Sequence, residues 1–312
     1  MQVHRALPTQ KTLEKCALTV GTFDGVHRGH QTLVARLKRE ADARDLPCAA
    51  LTFVDMPYCL FKPDECSPLL TLADEKIEAF SQTPLDHLFI VPFTREIAEQ
   101  SARKFMGYWR EMIGLSFFVG GPDFALGRGR EGDIAALKTL GSELGFETLA
   151  LEGKLLENGA PISSTRSRGI IEAGQVELAR QFLGRPYQMT GRVVSGDQIG
   201  RTIGVPTINI LPHERKCVPK NGVYAIRARF DDETETRAAV LNIGMRPTVG
   251  GFRKQIEFHV LDANIETPPQ NVEIEFVARL RDERKFDGLE ALVSQMKLDF
   301  ERAREIFSVV SR

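Results

Sequence analysis

Thr22-Phe23-Asp24-Gly25-Val26-His27-Arg28-Gly29-His30 closes one apolar run and opens an amphipathic one. The run from Ala17 to Phe23 reads as a strand. From Gln31 to Arg44, Leu33, Val34, Leu37 and Ala41 share one helical face while Arg36, Lys38, Arg39 and Glu40 point elsewhere, which predicts an amphipathic helix. A strand, a glycine-bearing turn and a helix make the junction at which open parallel sheets bind ligands, because strand ends and helix N-termini meet there. Asp24-Gly25 supplies a tight turn, Gly29 lets a phosphate approach the backbone, and His27 and His30, three apart, can face one anion. With 6 His and 26 Gly among 312 residues, a chance H-x-G-H is expected about 0.01 times, so the match stands above background. A pair of satisfied structural histidines is the bland alternative, and a metal pair lacks an obvious third ligand nearby.

Working outward, apolar runs at Cys48 to Val54, His87 to Phe93, Ser116 to Gly120 and Phe146 to Leu151 alternate with helical patterns, which predicts a parallel sheet covered on both faces. From Met189 the pattern changes. Strand-like segments at Met189 to Ser195, Val205 to Ile210, Val223 to Phe230, Arg237 to Ile243, Gln255 to Leu261 and Val272 to Arg281 follow one another without helices between them. Such a series manages its edges by curling or closing, so a small antiparallel β-barrel is expected. Phe286 to Val309 reads as one amphipathic helix against that barrel. The fold class is therefore α/β followed by an antiparallel barrel, with domains at 1–184 and 185–312.

Composition bounds the partners. Lys and Arg total 41 against 42 Asp and Glu, a net charge of -1, so the bulk positive field behind non-specific nucleic-acid or anionic-membrane binding is absent. No stretch reaches the roughly 18 apolar residues of a membrane span, and the first residues show no secretory pattern. A cytoplasmic protein acting on small molecules is expected, as a monomer or weak homo-oligomer, with no nucleic-acid or membrane partner. Cys16, Cys48, Cys59, Cys66 and Cys217 form no C-x-x-C pair and read as reduced thiols.

Further motifs carry chemistry. Gly121 to Gly132 follows a predicted strand and mixes glycines, Asp123, Phe124, Arg128 and Arg130, a composition able to clasp a flat ligand beside phosphates; an ordinary surface loop is the alternative. Ile162-Ser163-Ser164-Thr165-Arg166-Ser167-Arg168 sets hydroxyls and arginines at a helix start, which suits phosphate oxygens or a plain N-cap. In the second half, Gly191, Gly196, Gly200 and Gly204 free the backbone to wrap phosphates, and Thr207 and Asn209 share one strand face from which both can offer oxygens to Mg²⁺.

The order G-T-F-D-G-V-H-R-G-H-Q, D-F-x-x-G-x-x-R-x-G, I-S-S-T-x-x-R, then G-R-x-x-G-x-P-T-x-N and Ile256-Glu257-Phe258-His259 resembles the bacterial bifunctional riboflavin kinase/FMN adenylyltransferase family over nearly the whole chain. The resemblance implies a Rossmann-like nucleotidyltransferase domain and a riboflavin kinase barrel, with Mg²⁺, ATP as co-substrate, and riboflavin, FMN and FAD as substrates and products. It implies that His27 and His30 act on the ATP phosphates. Gly21, Phe23, Asp24, Gly25, Gly29, Ser163, Ser164, Thr165 and Arg168 would complete that grip, and Asp123, Phe124 and Arg130 would meet the flavin. In the kinase it implies Gly196, Gly200, Arg201, Gly204, Thr207 and Asn209 for ATP, Thr207 and Asn209 for Mg²⁺, and Glu257 as general base; His259 reads as structural. The chain departs from the family pattern at Met56, where a histidine is usual, at Ser167, Leu126 and Ile265-Glu266. The departures at Met56 and Ser167 leave open a chain that is a riboflavin kinase only, its first half a nucleotide- or flavin-binding regulatory domain.

Overall fold

Strands β1 (Gln2–His4), β2 (Cys16–Val20), β3 (Cys48–Phe53), β4 (His87–Val91), β5 (Leu115–Gly120) and β8 (Glu147–Ala150) form one parallel sheet in the order β1-β4-β3-β2-β5-β8. Two short ribbons project from it, β6 (Ala125–Leu126) with β7 (Gly132–Asp133), and β9 (Leu156–Glu157) with β10 (Ala160–Pro161). This computed structural model describes residues 1–153, 155–196, 205–231, 233–248, 251–263, 265 and 267–310. The chain divides into two compact units, Met1–Ser164 and Thr165–Arg312.

Every residue of β2 and β3 is buried, as a central parallel strand requires, and alternation sorts the side chains onto two faces. Leu18, Val20, Ala49 and Leu51 join Phe105, Met106, Trp109 and Ile113 of one helix, while Ala17, Cys48 and Ala50 join Leu33, Val34, Leu37 and Ala41 of another. Each large side chain buried this way contributes about 1.5–3 kcal/mol of transfer free energy. The helices are α1 (Arg28–Asp42), α2 (Ala73–Ser81), α3 (Arg95–Ala98), α4 (Ala102–Ile113) and α5 (Ile134–Leu144), with α6 (Ser164–Glu172) crossing into the second unit. Helix α1 starts three residues before the sequence pattern suggests because His27 caps it. Strand β1 was not anticipated: three residues are too few to show a period, and pairing with β4 is what makes them a strand.

In the second unit, α7 (Val176–Leu183) precedes β11 (Tyr187–Val194), β12 (Ile208–Pro212), β13 (Gly222–Phe230), β14 (Thr236–Thr248), β15 (Gly251–Val260) and β16 (Asn271–Arg281), which close a barrel in the order β11-β12-β15-β14-β13-β16. Closure of β11 on β16 removes the open edges. The terminal helix α8 (Leu289–Val310) lays Phe300, Ala303, Ile306 and Phe307 against Val223, Ala225, Val240 and Leu261. Its Asp299 is buried and accepts from Arg281 Nε at 3.0 Å and Nη2 at 2.8 Å, so the helix is fixed by a charge-assisted pair as well as by packing.

The cysteine expectation needs correction. Cys59 and Cys66 are joined in a disulfide, their Cα atoms 5.1 Å apart, while Cys16, Cys48 and Cys217 are buried free thiols. The short 3₁₀ turns Pro57–Leu60 and Pro63–Glu65 fold the segment back on itself. A separation of 7 residues carries no motif, so only the turns bring the pair together.

Candidate active sites

Strand order reverses at β2: β3 and β4 lie to one side of it, β5 and β8 to the other. Ligands bind open α/β sheets at such a switch point, outside the strands' carboxyl ends. The segment Gly21 to His30 leaves β2 there and the Gly121 to Gly132 loop leaves β5 beside it, so two of the stretches singled out in the sequence share one rim of the sheet.

The first loop is strained. Phe23 (φ 47°), Gly25 (φ 82°) and Val26 (φ 41°) all take the left-handed region, which a β-branched valine rarely adopts. Asp24, only 1% exposed, does not face outward. Its carboxylate accepts from the backbone N–H groups of Leu70 at 2.9 Å and Thr71 at 3.1 Å, and Thr71 Oγ1 accepts from Gly25 N at 3.0 Å. The geometry thus gives Asp24 the work of bracing the loop.

His27 is the N-cap of α1, its Nδ1 accepting from His30 N at 3.3 Å. With Nδ1 used as acceptor, the neutral ring carries its proton on Nε2, a hydrogen-bond donor. The His27 and His30 rings stack at 3.5 Å between centroids, and Phe23 meets His30 edge-on at 5.0 Å. A Cβ on Gly29 would stand 3.2 Å from the His27 ring, and one on Gly21 2.9 Å from the Phe23 ring, so both glycines make room for the aromatic rings that shape the loop. Ser164 Oγ donates to the Asp24 carbonyl oxygen at 2.8 Å, bringing that hydroxyl to the histidine loop across 140 residues of sequence. Ser163 is partly buried, Thr165 is exposed and Arg168 is buried on α6. Met56 and Ser167, the departures from the family pattern, are both buried.

In the second loop, Arg130 Nη2 donates to the Asp123 carbonyl oxygen at 3.0 Å, and the Phe124 ring stands 5.2 Å from that of Phe118. Phe124 and Leu126 pack against the hydrophobic core, which anchors the loop and leaves Asp123 and Arg130 exposed. Sequence reasoning missed Lys76. It lies on the buried face of α2 with Glu75, Ala79 and Phe80, and the available signal was a lysine at helical spacing from Ala79 and Phe80.

The barrel site is built by register. Asn209 on β12 pairs with Glu257 on β15, and Glu257 pairs with Asn242 on β14. Thr207 Oγ1 donates to Glu257 Oε2 at 3.2 Å, and Gln255 Nε2 donates to Asn209 Oδ1 at 2.9 Å. A Cβ on Gly196 would fall 2.2 Å from Asn209 Nδ2, so the chain leaving β11 passes Asn209 as closely as only glycine allows. A hydroxyl, an amide oxygen and a carboxylate gathered here are hard oxygen donors, the set that suits Mg²⁺. His259 donates from Nδ1 to the Pro206 carbonyl oxygen at 2.8 Å and stacks on Phe300 at 4.9 Å, in keeping with a structural role. Gly200, Arg201 and Gly204 lie outside the described residues.

Comparison with known proteins matches residues 9–166 to an FAD synthetase family model and residues 183–307 to a riboflavin kinase model. A solved structure described as a macrolide-efflux protein from Streptococcus pneumoniae has the same fold, with a TM-score of 0.88 at 26% identity over 97% of this chain and 99% of that one. Among the described residues no helix is long and apolar enough to cross a membrane. The Escherichia coli K12 bifunctional riboflavin kinase/FMN adenylyltransferase is 37% identical over 96% of both chains, and the Bacillus subtilis protein of that name is 34% identical over 94% of this chain and 93% of its own. With both halves matched and relatives of this similarity spanning nearly its full length, the chain belongs to the bifunctional riboflavin kinase/FMN adenylyltransferase family.

Proposed function

We propose that the barrel unit phosphorylates riboflavin to FMN and that the parallel-sheet unit adenylates FMN to FAD, both from ATP, with the residues below in the stated roles. The observation that carries this reading is the presence of both family domains in one chain. It disfavours a kinase with a degenerate first half.

In the kinase, Glu257 takes the proton from the ribityl 5′-hydroxyl of riboflavin as that oxygen attacks the γ-phosphorus of ATP. The hydrogen bond from Thr207 holds the carboxylate in place. Thr207 and Asn209 oxygens, beside Glu257, would hold Mg²⁺, which when bound neutralises phosphate charge. Gly196, with Gly200, Arg201 and Gly204, would wrap the ATP phosphates.

In the adenylyltransferase, the FMN phosphate attacks the α-phosphorus of ATP in line and pyrophosphate leaves. Phosphate is already a competent nucleophile, so catalysis is chiefly positioning and charge stabilisation. His27 and His30 donate to the phosphate oxygens. Gly21, Phe23, Gly25 and Gly29 shape the backbone around them, Asp24 braces it, and Ser163, Ser164, Thr165 and Arg168 complete the grip. Asp123, Phe124 and Arg130 meet the flavin.

The functional boundary is placed at 184/185, a position supported by the start of the second family match at residue 183. The geometric division falls earlier because α7 packs on the barrel, where Glu177 Oε1 accepts from Arg279 N at 2.9 Å. ATP as co-substrate supports a cytoplasmic enzyme, acting on small molecules as a monomer or weak homo-oligomer. Purified protein given riboflavin, ATP and Mg²⁺ should yield FMN and then FAD. FMN without FAD, even with FMN supplied, would leave only the kinase, and neither product would overturn the reading.

A further inference from the structure

Lys76 is 1% exposed, yet it carries an ammonium group. Its Nζ donates to the Thr22 carbonyl oxygen at 3.0 Å and to the Phe53 carbonyl oxygen at 2.6 Å. Thr22 lies between β2 and the histidine loop, and Phe53 ends β3 just before the segment that bears Met56. The lead into the same helix makes a second attachment: Thr71 Oγ1 accepts from Gly25 N, and the Leu70 and Thr71 amides donate to Asp24. One helix and its lead therefore hold both ends of the stretch Thr22 to Gly25.

That stretch needs holding, since three of the four residues from Phe23 to Val26 sit at positive φ and local strain persists only where surroundings over-determine it. An apolar side chain would fill the Lys76 position without the desolvation cost of a buried charge. The ammonium is matched instead to two backbone oxygens at neighbouring strand ends. The hydrogen bonds of Thr71 and Lys76 go to Asp24, the Gly25 amide and two carbonyl oxygens, so both act through the frame of the loop.

We propose that Lys76 and Thr71 are positioning residues for adenylyl transfer: by fixing the Thr22 carbonyl and the Gly25 amide they set the backbone from which His27 and His30 reach the ATP phosphates. The proposal rests on the reading of those histidines as phosphate ligands.

The test uses the full chain with Thr71→Val, Lys76→Met, Lys76→Arg and His30→Ala, measuring kcat and KM for ATP in FMN adenylation, with riboflavin phosphorylation as internal control. Thr71→Val should raise the adenylation KM for ATP about three- to tenfold, as loss of one hydrogen bond implies. Lys76→Met should raise it by roughly tenfold or more, with Lys76→Arg recovering part of the loss. Kinase KM should stay within about twofold for each, because the barrel shares none of these bonds. A purely structural role would lower the melting temperature and the active fraction, hence apparent kcat, with KM unchanged; that result overturns the proposal. Should Lys76→Met fail to fold, the KM of Thr71→Val decides alone. Intact adenylation in His30→Ala would remove the site reading and this proposal together, whereas loss in His30→Ala with unchanged KM in the other variants would remove this proposal only.

Discussion

The two proposed sites assemble their side chains by opposite routes. In the parallel-sheet unit the residues proposed for the site, Gly21 to His30, are consecutive and follow the bend from strand to helix. In the barrel, Thr207 and Glu257 are 50 residues apart and meet only because β12 and β15 pair in one register. A contiguous loop needs bracing against its own strain, which Asp24, Thr71 and Lys76 supply from inside. A site on paired strands inherits rigidity from the backbone ladder and needs no such buried charge.

The largest test of this contrast separates the activities. Glu257→Gln should lower kinase kcat by about 10²–10⁴ and leave adenylation of supplied FMN intact, while His30→Ala should lower adenylation about 10² and spare the kinase. Steady-state assays of both reactions on each variant check this, and equal loss of both would mean the sites are not independent.

A smaller effect concerns Lys76. Burial pushes its ammonium down to about 8, against the opposing pull of the Asp24 and Asp55 carboxylates. Between there and the ordinary lysine value of 10.5 the unfolded chain binds the extra proton, so stability rises with pH across that window. The cost of the buried charge is present in full below about pH 8 and is relieved toward pH 10.5, by on the order of 3 kcal/mol. Urea unfolding followed by Trp109, the single and fully buried tryptophan, should show wild type gaining on Lys76→Met as pH rises from 8 to 10. A difference independent of pH would refute a depressed lysine.

The smallest effect separates the units by redox chemistry. Reducing the Cys59–Cys66 disulfide, or replacing both cysteines by serine, should cost the first unit about 2 kcal/mol, the modest value expected for a short loop. The Trp109 transition should move to lower temperature. Loss of the barrel's β-sheet signal should not shift, since its Cys217 is a buried free thiol.

Much of the fold was readable because its periods are local. The apolar runs that became β2 to β5 are continuous, and the face Leu33, Val34, Leu37 and Ala41 of α1 follows from spacing alone. The inward turn of Asp24 was not readable: whether an acid after a strand faces phosphate or protein depends on the Leu70 and Thr71 amides, nearly fifty residues away. The same holds for Lys76, whose two acceptors are backbone atoms with no sequence signature. Phe124 illustrates a middle case, its type visible but its packing against the core supplied by Phe118 on β5.

By itself the sequence determined the alternation of strand and helix, the change to barrel strands, and the chemical types gathered at each site, because hydrophobic period and residue chemistry are properties of near neighbours in the chain. Tertiary structure alone decided that the sheet reverses order at β2, that Asn209 faces Glu257, that Cys59 meets Cys66, and that Asp24 and Lys76 turn inward. Those are relations between distant segments, set by which burials and backbone hydrogen bonds can be satisfied together, and no local pattern encodes them.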